Sequence, residues 1–226
     1  MSGGPAMETR PAAGLALFGT SADPPTIGHG ALLQGLAATY GEVATWASDN
    51  PFKHHGTSLA RRSELLQRLV KDLADPRIRL HQELSSPRAL TTLERAEALW
   101  PGRDLVFVVG GDLATQVPRW YRAEEVLRRC RLAVVPRRGF QLDPAALEAL
   151  RRLGGRPELL ALPVPASASS AVRARPDPAL VPPGVWHELV QHNLYGLGRA
   201  RTGATGCGDA EPPPGHRPPP RSCPPC

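Results

Sequence analysis

The sequence has too few cysteines to be held together by disulfides. There are four in 226 residues, and Cys207, Cys223 and Cys226 crowd into the last twenty, leaving Cys130 alone in the body of the chain. That is not a secreted disulfide framework, and a reducing cytoplasm is the expected compartment. No stretch reaches the roughly 18 to 20 consecutive apolar residues that a membrane span needs. The first thirteen residues carry no apolar segment of the kind a secretory signal requires. Lysine is nearly missing as well: of 27 basic residues only Lys53 and Lys71 are lysines, the rest being arginine. The formal charge of +6 suits anionic substrates. There is no RNP aromatic pair, no zinc-finger spacing and no helix-turn-helix, so neither nucleic acid nor membrane is expected as a partner. Basic pairs such as Arg61-Arg62 and Arg128-Arg129 fall on predicted helices and read as solvated faces.

What is present is concentrated in the middle. Residues 199–226 hold 8 of the 26 prolines and no aliphatic residue larger than alanine. Such a segment buries too little apolar surface to offset its ordering entropy. The expected organisation is a loose extension over 1–13, one folded domain over 14–197 and a Pro/Arg-rich disordered tail over 198–226. Within the domain, short apolar runs alternate with amphipathic segments. The strand candidates are Leu15–Phe18, Val43–Ala47, Ile78–Leu80, Leu105–Val109, Leu132–Val135 and Leu159–Leu162. Runs such as LVFVV do not alternate with polar residues, which predicts strands covered on both faces. The helices between carry punctuation. Asp143-Pro144 supplies an N-cap and N1 proline ahead of a Gly154-Gly155 stop, Thr91-x-x-Glu94 reads as a capping box, and Ser58 caps a stripe of Leu59, Leu65, Leu66, Leu69 and Leu73. Regular alternation predicts an α/β fold, doubly wound, with a mostly parallel sheet and helices on both faces.

Chemistry gathers after the first strand, in GTSADPPTIGHGALLQGL. A tight turn with Asp23, Pro24 and Pro25 runs into a helix opening near Gly28. The opening of a helix presents amide N–H groups and partial positive charge, here at the carboxyl end of a strand. Thr26 and His29 are three residues apart and can share one face of the first turn. Hydroxyl, imidazole and amides together suit a phosphate chain. A second serine-rich opening, SASSAVR over 167–173, offers hydroxyls beside Arg173.

These segments carry a resemblance. G19-T20-S21-A22-D23-P24-P25-T26-I27-G28-H29 resembles the first-loop signature of HxGH-class nucleotidyltransferases, with Thr26 where the first histidine usually stands. WASDNPFKHH (46–55), VVGGDL (108–113), PRWY (118–121), VVPRRGF (134–140), SASSAVR and the closing HNLYG follow in the order of the bacterial nicotinate-nucleotide adenylyltransferase branch. Ser167 and Ala168 depart from the usual ISSTxxR pattern. The resemblance implies a Rossmann-like nucleotidyltransferase that moves the adenylyl group of ATP to nicotinate mononucleotide and releases pyrophosphate. It implies ATP contacts from Gly19, Thr20, Gly28, His29, Gly110, Asp112, Ser169, Ser170 and Arg173. Asn50, Lys53, Trp120, Tyr121 and Arg137 would face the mononucleotide, with the aromatic pair stacking on its pyridine ring. His29, Thr26, Lys53 and Arg173 would serve the chemistry. Mg²⁺ is expected to arrive on the ATP phosphates, with Asp23 a turn residue rather than a ligand. A homo-oligomer is left open. Two other readings stay open at this point: a phosphopantetheine adenylyltransferase, which Thr26 favours, and a non-catalytic nucleotide sensor.

Overall fold

The computed structural model describes residues 14–50, 53–136 and 143–201, with side chains as far as 197. The expected N-terminal extension, most of the tail with its three cysteines, and Arg137 lie outside the described residues. Six strands form one sheet: β1 Gly14–Thr20, β2 Gly41–Ala47, β3 Ile78–Leu80, β4 Leu105–Gly110, β5 Arg131–Val135 and β6 Pro157–Leu159. Every pairing is parallel, in the order β3-β2-β1-β4-β5-β6. The chain winds outward from β1 to β3, then returns to β1's other side with β4. The order therefore reverses between β1 and β4, and the crevice beyond their carboxyl ends is where such sheets take ligands.

Alternation within the strands feeds two cores, one on each face. Ala16, Phe18, Val43, Val106 and Val108 pack beneath helices α1 (Ile27–Tyr40), α2 (Leu59–Leu73) and α8 (Pro183–Gln191). Leu15, Leu17, Ala44, Trp46, Phe107 and Val109 point the other way, under α3 (Ala89–Leu99) and α5 (Ala123–Arg129). The remaining helices are α4 (Gly111–Ala114), α6 (Pro144–Arg152) and α7 (Ser169–Ala174). None of the described helices is long and apolar enough to cross a membrane.

Several local expectations hold. Asp143 accepts the Ala145 N–H at 2.8 Å, and Ser58 accepts that of Arg61 at 3.3 Å. Gly154, at φ 81°, turns the chain just after α6 in a conformation that glycine alone adopts without strain. Others need correction. Helix α3 begins at Ala89, so Thr91 lies inside it and caps nothing. Strand β6 ends at Leu159 rather than running to Leu162, because Leu160 to Val164 leave the sheet toward α7. Cys130, expected to be buried, is part-buried against the second core. Burial pushes its thiol up to about 12, and Sγ donates to the Val126 carbonyl.

Candidate active site

The loop from β1 to α1 is the centre of a dense polar network at the switch point. Thr26 is the N-cap of α1, fully buried, and its N–H donates to His29 Nδ1 at 3.1 Å. The imidazole thus takes the part that a glutamate takes in a capping box. A backbone N–H can only donate, so Nδ1 accepts and the neutral ring carries its proton on Nε2. The Thr26 hydroxyl lies 2.8 Å from the same nitrogen and donates to the Ser167 carbonyl at 2.9 Å. Ser167 Oγ in turn donates to Thr26 Oγ1 and accepts the Gly28 N–H at 2.8 Å. A Cβ on Gly28 would sit 2.6 Å from Ser167 Oγ, so this contact requires glycine. The residue that departs from the family pattern at 167 is therefore the clamp between two helix openings.

That clamp changes the expected anion site. The amides of Gly28, His29 and Gly30 are taken by Ser167 Oγ and the Thr26 carbonyl, so the first turn offers fewer donors than the sequence suggests. The positive end of α1 remains. The 167–173 segment is drawn onto the same loop. Ser169 Oγ donates to Pro24 O at 2.8 Å, Arg173 Nη1 donates to Asp23 O, and the same guanidinium lies 3.4 Å from the Asp23 carboxylate. Ser170, next along, is exposed. The imidazole at 29 and the guanidinium at 173 thus grip opposite ends of one four-residue turn.

Asp23 is a structural hub. It is 2% exposed; Oδ1 accepts the Tyr195 hydroxyl at 2.5 Å, and Oδ2 accepts the Gly56 N–H at 2.7 Å. His55 Nδ1 is 3.8 Å away. Burial, and then the bond to Asp23, raise the Tyr195 phenol well above its usual value. Through Gly56 this hub pins the loop after β2, which carries exposed Lys53 and part-buried Asn50 at the same edge of the sheet; the turn closes from Lys53 N–H to Asn50 O. Burial, then the nearby Arg62 charge, lower the His55 pKa, and Lys53 adds to the effect.

Arg62 is the residue that sequence reasoning missed. It is 1% exposed, and Nη1 donates to Ser21 O at 2.9 Å and Ser48 O at 2.8 Å, tying the β1 and β2 loops together. Burial lowers its pKa. The signal was present: position 62 falls three after Leu59 and four before Leu66, on the apolar stripe of α2.

The remaining candidates lie at the ends of β1 and β4 and in the segment that follows β4. Gly110 caps α4, and Asp112 sits in that helix's first turn rather than at its cap. Gly19 gives way to the Trp46 indole, which a Cβ there would meet at 2.6 Å, and Thr20 Oγ1 accepts the Ala22 N–H. The aromatic pair divides. Trp120 is part-buried edge-on to Phe107 at 5.8 Å, while Tyr121 is 56% exposed with the Arg88 guanidinium 4.7 Å from its ring centroid.

Residues 17–175 match the cytidylyltransferase-like family. A probable nicotinate-nucleotide adenylyltransferase of Synechocystis is 39% identical over 197 residues, covering 80% of this chain and 98% of that one. One from Chlorobaculum parvum is 30% identical over 192 residues, covering 79% and 97%. The nicotinic acid mononucleotide adenylyltransferase of Plasmodium falciparum, solved in complex with NaAD, superposes with a TM-score of 0.67 at 18% identity, over 82% of this chain and 98% of that one. With its parallel sheet and clamped first loop, the chain is a nucleotidyltransferase of the cytidylyltransferase-like family. Within it, the chain belongs with the nicotinate-nucleotide adenylyltransferases.

Proposed function

We propose that this chain joins nicotinate mononucleotide to the adenylyl group of ATP, giving nicotinate adenine dinucleotide and pyrophosphate. One observation supports it most: His29, Thr26, Ser167 and Arg173 all fasten onto residues 23–29 at the switch point of the sheet. The mononucleotide phosphate is already a nucleophile at neutral pH, so the enzyme needs no general base. It must overcome repulsion between anions, by alignment and positive potential.

His29 supplies that at the α-phosphoryl group, as a donor from Nε2. Thr26 is buried with its hydroxyl occupied, and it acts by holding the imidazole in this tautomer rather than by touching substrate. Arg173 and Ser170 face the leaving pyrophosphate, while Ser169 braces the loop through Pro24. Lys53 and Asn50 meet the incoming phosphate, Gly110 and Asp112 the adenosine, and Trp120 and Tyr121 the pyridine ring. Gly19, Thr20 and Gly28 border the triphosphate, the two glycines making room for Trp46 and Ser167.

Mg²⁺ arriving with ATP would supply positive charge to offset that of the phosphates. Both oxygens of Asp23 are committed within the protein, and the described residues hold no cluster of three or more His, Cys, Asp or Glu fit for a metal. Such an enzyme works in the cytoplasm, where ATP is plentiful.

Pyrophosphate release in the presence of ATP and one acceptor at a time tests the reading. Release with nicotinate mononucleotide is expected. Release only with phosphopantetheine, or nucleotide binding without any release, would overturn it.

A further inference from the structure

The two mononucleotides that differ only as acid and amide at the pyridine ring differ by one negative charge. A cation near the ring that no protein carboxylate has already neutralised favours the acid over the amide. Arg88 meets that need. It is exposed at the N-cap of α3, and its guanidinium lies over one face of the Tyr121 ring, 4.7 Å from the centroid. Among the described residues no carboxylate oxygen lies within 4.0 Å of it. The neighbouring Arg122, in contrast, is paired with Glu125 at 2.6 Å.

The segment that carries Arg88 is rigid. Arg95 Nη1 donates to the Glu83 and Ser85 carbonyls, Thr92 Oγ1 to Leu84 O, and Ser85 Oγ to Ala47 O at the end of β2. Trp120, beside Tyr121, is fixed against Phe107. A guanidinium resting over an aromatic ring keeps its N–H donors free for a carboxylate, which its planar fork can bind through two bonds.

We infer that Arg88, oriented by Tyr121, is the specificity residue that reads the carboxylate of the pyridine substrate and selects acid over amide. The inference rests on the adenylyl-transfer reading above. Because Arg88 is exposed, the pair it forms is screened by solvent, and its effect is moderate.

The test compares kcat/KM for nicotinate and nicotinamide mononucleotide at saturating ATP, in wild type, Arg88→Gln and Arg88→Lys. For the glutamine variant the acid value is expected to fall about tenfold, mostly through KM, with the amide value unchanged within twofold. Lysine, which keeps the charge without the planar fork, is expected to retain part of the preference. The acid KM of wild type should also rise with salt more steeply than the amide KM, and that difference should vanish in Arg88→Gln. Equal losses for acid and amide, or no loss for either, would overturn the assignment. Calorimetric binding of the two mononucleotides to the same proteins gives the ratio without turnover. A wild type that released no pyrophosphate would sink the adenylyl-transfer reading, and the binding ratio would still decide for or against Arg88.

Discussion

The two ends of the crevice are built on opposite plans. At the proposed phosphate end, Asp23, Thr26 and Arg62 are each under 3% exposed, and the side-chain oxygens of the first two and the Arg62 Nη1 are bonded to other parts of the protein. At the proposed ring end, Tyr121 is more than half exposed and Arg88 meets no carboxylate among the described residues. The first end spends its polar groups on holding one imidazole and one guanidinium in place. The second leaves its groups available. Buried polar groups are expensive to leave unpaired, so changes at the first end should cost both stability and turnover. Changes at the second should alter choice of substrate and little else.

That contrast can be broken in several ways. The largest effect should come from His29→Ala, with kcat falling on the order of 10²- to 10³-fold and substrate affinities changing much less. Turnover close to wild type would remove the imidazole from the chemistry. Next comes Arg62→Met, which strips the donors from two buried carbonyls and should lower the unfolding free energy by about 2 to 4 kcal/mol in a urea titration. A loss under about 1 kcal/mol would mean that the buried guanidinium ties nothing together. The Arg88→Gln change, tenfold and confined to the acid substrate, follows.

Ser167→Ala removes the acceptor for the Gly28 amide and one partner of Thr26. It should cost about 1 kcal/mol and lower kcat several-fold through a less well-held imidazole. Unaltered kinetics in that variant would show that His29 does not depend on the clamp. The smallest effect is a matter of pH. Burial and Arg62 depress the pKa of His55 below its ordinary value of 6.5 in the folded chain. The unfolded chain therefore takes the proton first, and this residue's share of stability is present above pH 6.5 and lost as pH falls below it. Denaturant midpoints measured from pH 7 downward should fall less steeply in His55→Gln; parallel slopes would argue that His55 is not desolvated.

The same contrast explains how much the sequence disclosed. Strands such as LVFVV announced themselves because a strand covered on both faces has no polar alternation to hide it. The first loop was legible through the spacing of Thr26 and His29. What escaped was set by partners distant in the chain. Which arginine of the 61–62 pair goes inside depends on carbonyls at 21 and 48, although the helical stripe of α2 marks the position. Ser167 looked like a lapse in the motif because its partner lies 141 residues earlier. Arg88 became visible only when Tyr121 was placed beneath it, since nothing in SPRAL distinguishes it from other surface arginines. Thr91 misled for a local reason: a threonine followed by glutamate three residues on is a cap only when the helix has not already begun.

Attack at the α-phosphorus is the step on which the whole account depends, and labelled ATP follows it directly. Wild-type protein would be given nicotinate mononucleotide and ATP carrying phosphorus label at either the α or the γ position. The account predicts α label in the dinucleotide and γ label in pyrophosphate, in equal amounts. Appearance of γ label in the organic product, or no transfer of α label with both substrates saturating, would contradict it.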